Sequence, residues 1–382
     1  MNFKILKKSR KSWGRVGILK TSHGEIQTPA FVPVATQAAL KGMLPDQANE
    51  SGTQILMVNT YHLWVRGVVE TVKSFGGLHQ FMHWQKPLMT DSGGFQIFSL
   101  GFAYGKQISK IVKNENITFL NGRPKNDDNG VKTLVIIDEE GVTFRSHIDG
   151  SVKRLAPRIS IGIQESLGAD IIFTFDECAS PTASYVYTKQ SLARTHRWAK
   201  ESLKAKKRTD QLLFGIVQGG RFKDLRQESA KFIASLPFEG IGIGGGFDKK
   251  DITTALEWVI PLLPDERPRH FLGIGEIDDI KESVKRGIDL FDCVIPTRLA
   301  RHGVLVTAKG RVTISQAKWR TDKNPPEKGC TCYTCQHFSR AYLCHLSRAK
   351  EILAIQLANI HNVFFYNQLM EKIREDTKNG KM

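Results

Sequence analysis

No stretch of this 382-residue chain approaches the ~18 consecutive apolar residues of a membrane-spanning helix. Its basic start, MNFKILKKSRKSWG, is not followed by the roughly 7–15 apolar residues of an export signal. A soluble, cytoplasmic protein without a membrane partner is therefore expected. Acidic residues are scarce: 38 Asp and Glu face 55 Lys and Arg, a formal charge of +17. That balance suits a polyanionic partner, nucleic acid first, because neutralising phosphates releases counterions. Cysteine is also sparse. Cys178, Cys293 and Cys344 stand singly, which argues against a disulfide framework. No fixed-period repeat or long low-complexity tract is present. A Rossmann fingerprint is missing too, since IGIGGGF lacks its context and no βαβ unit opens the chain.

What is there is alternation. Short β-rich runs end in small, acidic or amide residues: FVPVAT (31–36), QILMVNT (54–60), PLMTDSGG (87–94), DIIFTFDE (170–177), LLFGIVQGG (212–220), GIGIGGG (240–246), HFLGIGE (270–276) and DLFDCVIPTR (289–298). Helical spacing fills the gaps, as in SLARTHRWAKESLKAK and FKDLRQESAKFIASL. Eight such runs joined by helical crossovers predict a closed parallel (β/α)8 TIM barrel, with an open doubly wound sheet as the alternative. A catalytic barrel over 1–300 is expected. Residues 1–30 read as a capping β-hairpin around a Ser-His-Gly turn, and 101–150, rich in Asn and Gly, as an inserted hairpin with a flexible tip after the third strand. Residues 301–382 read as a basic, metal-binding helical subdomain.

The chemistry of such a barrel collects at the carboxyl ends of its strands. Those ends carry Asp91, Asp176, Cys178, Gln218, Gly244 to Gly246, Gly273, Gly275 and Asp292. Two carboxylates at a sugar carbon can act as nucleophile and as general acid/base. Glycines at a strand end let a flat ligand approach backbone N–H groups, and an amide such as Gln218 can read a base edge.

Cys330, Cys332 and Cys335 in CTCYTC offer three thiolates in a tight loop, and tetrahedral zinc needs one more ligand. Spacing leaves His337, His345 and His361 open. His337 sits too close to Cys335 for an unstrained turn, and His345 lies on the following helix. On one straight helix His361 would be tens of ångströms away, so it can ligate only if the chain folds back near Ala349–Glu351. Four protein ligands leave no open position, which makes the site structural.

Taken together, DSGGFQ (91–96), FRSHIDGS (144–151), FDEC (175–178), GIVQGG (215–220), FDCVIPTR (291–298) and CTCYTCQHFSRAYLCHL (330–346) resemble the tRNA-guanine transglycosylase family, in order and over nearly the whole chain. The resemblance implies exchange of guanine at the wobble position of tRNA for a 7-deazaguanine by double displacement. It implies Asp292 as the nucleophile at the ribose C1′ and Asp91 as general acid/base. It places Asp176 on the amino and ring N–H edge of the base, Gln218 and the Gly245 N–H on its carbonyl, and Phe95 on its face. Ser92, Gly246, Leu272 and Cys178 would complete the base pocket, Cys178 as wall and not as nucleophile. Arg298 and Arg301 would bind the anticodon-loop backbone. Of the three histidines the resemblance selects His361 as fourth ligand of a single structural zinc, and it implies a homodimer.

The chain also departs from the family pattern. Gly246 stands for a usual Leu, Lys250 for a usual Glu, Leu272 for a Met and Glu276 for a common Lys, and 101–150 is longer than usual. These changes point to a divergent bacterial-type member with its own preference among guanine and the deazaguanines. No additional RNA-binding domain is expected after residue 382, which argues against the archaeal branch and its usual C-terminal extensions. Two other classes compete. A non-catalytic RNA-binding subunit is disfavoured by the presence of both Asp91 and Asp292, and a small-molecule hydrolase has little use for a charge of +17.

Overall fold

The computed structural model describes residues 2–103, 135–245 and 251–382. Three antiparallel strands come first, β1 (Phe3–Lys8), β2 (Arg15–Thr21) and β3 (Gly24–Thr28). The parallel strands β4 (Ala30–Pro33), β5 (Leu56–Val58) and β6 (Leu88–Thr90) follow. A second antiparallel sheet interrupts them, built of β7 (Val135–Ile137), β8 (Val142–Arg145) and β9 (Val152–Leu155). The parallel series then resumes with β10 (Ile171–Phe173), β11 (Leu212–Val217), β12 (Gly240–Ile243), β13 (Arg269–Phe271) and β14 (Leu290–Cys293). A hairpin of β15 (Val304–Thr307) and β16 (Gly310–Thr313) precedes the C-terminal helices.

The eight parallel strands run in the order β4-β14-β13-β12-β11-β10-β6-β5. The two ends of that sheet meet at a parallel bridge between Val34 and Met57, where the Ala35 N–H donates to the Met57 carbonyl at 2.7 Å. This closure makes a (β/α)8 barrel and removes the open doubly wound sheet from consideration. Strands buried on both sides lose the inside–outside alternation that a half-exposed strand shows. In β11 Leu212, Phe214 and Ile216 point into the barrel, while Leu213 and Val217 face the helices. The glycines of β12 serve this packing. A Cβ on Gly242 would stand 3.0 Å from the Phe173 ring, and one on Gly240 would overlap the ring of Phe214.

The hairpin expected over residues 1–30 is present as β2 and β3, but a third strand, β1, joins it. Its alternating Phe3 and Ile5 were hidden among lysines. Phe3, Leu19 and Ile26 plug the lower end of the barrel against Ala30, Leu212 and Leu290. Arg15 anchors this sheet through two bonds to the buried Asp289 carboxylate, at 2.9 and 2.6 Å. Of the inserted segment, β7 to β9 pack on the barrel through Phe144, whose ring lies 5.7 Å from Tyr61 and 5.8 Å from Trp64. The tip expected within KNENITFLNGRPKNDDNG lies outside the described residues. No described helix is long and apolar enough to cross a membrane.

A second buried carboxylate sits at the lower end of the barrel. Asp170 accepts the His23 N–H at 3.0 Å, His23 Nδ1 at 2.8 Å and the Leu88 N–H at 2.8 Å, with His79 Nε2 at 3.2 Å. Burial alone would raise its pKa. The contacts from His79, Leu88 and His23 outweigh that and hold it below the ordinary carboxylate value. A carboxylate with a depressed folded pKa adds stability above its unfolded pKa of ~4, and that stability is lost as pH falls through the folded value. Asp170→Asn should therefore melt below wild type at pH 7, with the gap closing as the pH drops below about 4. A gap that stays constant across thermal melts from pH 7 to pH 3 would contradict this assignment.

Candidate active site

Asp91 leaves β6 at the upper rim and is held by the end of β5. Asn59 Nδ2 donates to one carboxyl oxygen at 2.6 Å and Gln96 Nε2 to the same oxygen at 2.7 Å. The backbone N–H groups of Thr60 and Gly93 donate to the other, at 2.9 and 3.2 Å. Gly93, at φ +80°, allows the tight turn into the helix Gly94–Ala103. Burial pushes the Asp91 pKa up against the lowering effect of Asn59, Gln96 and Thr60, and the charge of Asp292 raises it further. The carboxyl group is thus suited to hold a proton and release it.

Asp292 sits in β14 with 14% of its side chain exposed. His270, wholly buried on the neighbouring β13, lies with Nε2 2.9 Å from Oδ1, and the Gly273 N–H donates to that oxygen at 2.9 Å. A carboxylate partner places the imidazole proton on Nε2. His270 and the Gly273 N–H together fix the orientation of the carboxylate toward the mouth. The loop after β13 is itself braced from outside: Tyr366, on the helix Ile352–Lys378, donates from its hydroxyl to the Gly275 carbonyl at 2.6 Å.

Between these carboxylates lies a polar group from β10, β11 and β12. Gln218 Nε2 donates to Asp176 Oδ2 at 2.7 Å, and Ser92 Oγ donates to Oδ1 at 3.3 Å. Gly244 packs directly on the Gln218 amide, since a Cβ there would lie 2.6 Å from Nε2. Gly245 follows at φ +117°, a conformation that favours glycine. Phe95 and Cys178 are half-buried, and Leu272 reaches the apolar interior of the barrel. Gly246 lies outside the described residues, as does the rest of 246–250. Glu276, where the family pattern has Lys, accepts both of its 2.7 Å bonds from Arg311 on β16.

Arg298 and Arg301 lie on the short helix Ile295–Arg301 directly after β14. Arg298 is exposed and Arg301 half-buried, and the Arg301 pKa is lowered by burial first and by the charge of Arg298 second. Two neighbouring cations that repel each other are relieved by a bound anion.

The C-terminal helices carry the cysteine cluster. The helix Arg340–Ala349 ends at Lys350, at φ +60°, and the chain folds back into Ile352–Lys378. That reversal brings His361 to the thiols. The ligand atoms of Cys330, Cys332, Cys335 and His361 all lie within 4.8 Å of one another. Nδ1 of His361 is 3.9, 3.5 and 3.3 Å from the three sulfurs in sequence order, and its Nε2 lies 2.9 Å from the Val306 carbonyl. The carbonyl contact sets the tautomer that presents Nδ1 to a metal. His337 and His345 are both exposed and outside this cluster.

Comparison with known proteins accounts for this combination. A family model described as queuine tRNA-ribosyltransferase matches residues 9–123 and 126–382. The queuine tRNA-ribosyltransferase of Herpetosiphon aurantiacus is 49% identical over 364 residues, covering 94% of this chain and 85% of its own. That of Halothermothrix orenii is 44% identical over 377 residues, covering 98% and 93%. The chain belongs to this family. Within it, the strand-end carboxylates and the three cysteines were legible from spacing and motif, whereas His361 came from the family resemblance. His270, Asn59, Gln96, Arg226 and Tyr366 were not singled out. Asn59 and Gln96 stand in the quoted runs QILMVNT and DSGGFQ, so their signal was present. His270 carried none, because one polar residue in a strand reads the same whether it faces a carboxylate or solvent.

Proposed function

We propose that the protein is a tRNA-guanine transglycosylase, a glycosyltransferase that exchanges guanine at the wobble position of tRNA for a 7-deazaguanine. The observation that carries this reading is the contrast between two mouth carboxylates, one raised toward its acid form by burial and one oriented by His270 and Gly273. An Asp292 oxygen attacks C1′ of the wobble ribose, the C1′–N9 bond breaks, and the base leaves with the electron pair. Asp91 supplies the proton that neutralises the departing base. The incoming base then returns a proton to Asp91, its nitrogen bonds to C1′, and Asp292 is released. Asp176, Gln218 and the Gly245 N–H read the base edge, Phe95 stacks on it, and Ser92, Cys178 and Leu272 shape the pocket. Arg298 and Arg301 hold the anticodon-loop phosphates.

The four C-terminal ligands would bind zinc. The edge of a tetrahedron with Zn–S ~2.3 Å and Zn–N ~2.05 Å is ~3.5 Å, which the His361-to-sulfur separations bracket. With no open position the ion is structural. The family likeness supports, as parts of this proposal, a cytoplasmic location and a homodimer.

Labelled guanine incubated with the protein and a tRNA carrying wobble guanine should enter the RNA, while a tRNA with wobble adenine stays unlabelled. No label in the first tRNA would overturn the proposal.

A further inference from the structure

A fully buried guanidinium lies behind the base pocket. Arg226 projects from the helix Lys223–Ser235, and the chain wraps around it. Its Nε donates to the Gly220 carbonyl at 2.7 Å and its Nη1 to the Gly244 carbonyl at 2.7 Å. Gly219, Gly220 and Gly245 have φ of +130°, +58° and +117°. A Cβ on Gly219 would stand 2.7 Å from the Arg226 backbone nitrogen, and one on Gly245 would overlap the guanidinium. Gly219 lets the chain approach the backbone of that helix, and Gly245 leaves the room that the guanidinium occupies. Burial lowers its pKa to about 9, which leaves it charged at neutral pH.

The consequence comes from peptide planarity. In a trans peptide the C=O and the following N–H point in opposite directions. Arg226 draws the Gly244 carbonyl to itself, so the Gly245 N–H is turned away from the guanidinium. The Gln218 amide, bonded to Asp176, packs against the same two glycines.

We propose that Arg226 is a positioning residue that aims the Gly245 N–H at the carbonyl of the base and polarises it from behind. The proposal rests on the base-exchange reading above. When the C1′–N9 bond breaks, the electron pair stays on the base and spreads to its carbonyl oxygen. A fixed N–H backed by a buried positive charge favours that state over the neutral nucleotide.

The test compares wild type with Arg226→Lys and Arg226→Met. Calorimetric titration uses guanine and 2-aminopurine, which shares the amino edge of guanine but lacks its carbonyl. Steady-state base exchange is measured alongside. Arg226→Met should weaken guanine binding about tenfold and leave 2-aminopurine within about twofold. Arg226→Lys, which cannot reach both carbonyls, should fall between and show the same loss of selectivity if the Met variant does not fold. Exchange should lose kcat while KM for tRNA stays near wild type. Guanine and 2-aminopurine weakening together, or selectivity unchanged in both variants, overturns the assignment. A wild type that binds guanine selectively but exchanges none contradicts the base-exchange reading and leaves the titration to decide Arg226.

Discussion

Asp292→Asn should lower guanine exchange by about 10⁴-fold or more while tRNA binding stays within about threefold. The amide has nearly the shape of the carboxylate and can still accept the Gly273 N–H, so the mouth of the barrel is preserved. It lacks the nucleophilic oxygen charge that attacks C1′. The loss therefore falls on the chemical step, read as initial rates with labelled guanine beside filter-binding affinity. Activity within about 100-fold of wild type would mean that another group attacks the ribose. A matching loss of tRNA affinity would place Asp292 in binding instead.

Cys332→Ala should reduce metal content below about a tenth of the single equivalent expected in wild type, and lower the melting temperature by something on the order of 10 °C. Cys332 both contributes a sulfur to the cluster and caps the helix Tyr333–His337 by accepting the Cys335 N–H at 3.4 Å. The effect should travel further than the cluster. His361 shares its helix with Asn362, which accepts the Val306 N–H at 2.8 Å and donates to the Pro296 carbonyl at 3.0 Å. The same helix carries Tyr366, whose bond to Gly275 braces the loop that also holds Asp292 through Gly273. Loss of the ion should thus raise KM for tRNA and lower kcat as well. Full metal content in the variant, by atomic absorption, would contradict the ligand assignment.

The barrel was legible because each strand ends in residues that strands ordinarily avoid. Asp91, Asp176, Gln218 and Asp292 stand out as polar groups that close an apolar run, and the structure brings all four to one rim. Choosing His361 over His345 was beyond spacing. The reversal that decides it is a left-handed turn at Lys350, and lysine gives no signal for that conformation. Arg226 was invisible for a related reason. In KDLRQES it reads as part of a solvated helix face, and only the tertiary fold buries it. The strand β1 was lost among lysines, where charge masked a period of two.

The covalent step is the centre of this account, and one measurement addresses it directly. Wild-type protein is mixed with tRNA carrying wobble guanine, quenched in denaturant, digested and analysed by mass spectrometry. The account predicts a peptide containing Asp292 linked to the wobble nucleotide without its base, absent from Asp292→Asn. Guanine exchange that proceeds with no such adduct, or with the nucleotide on a different residue, would contradict it.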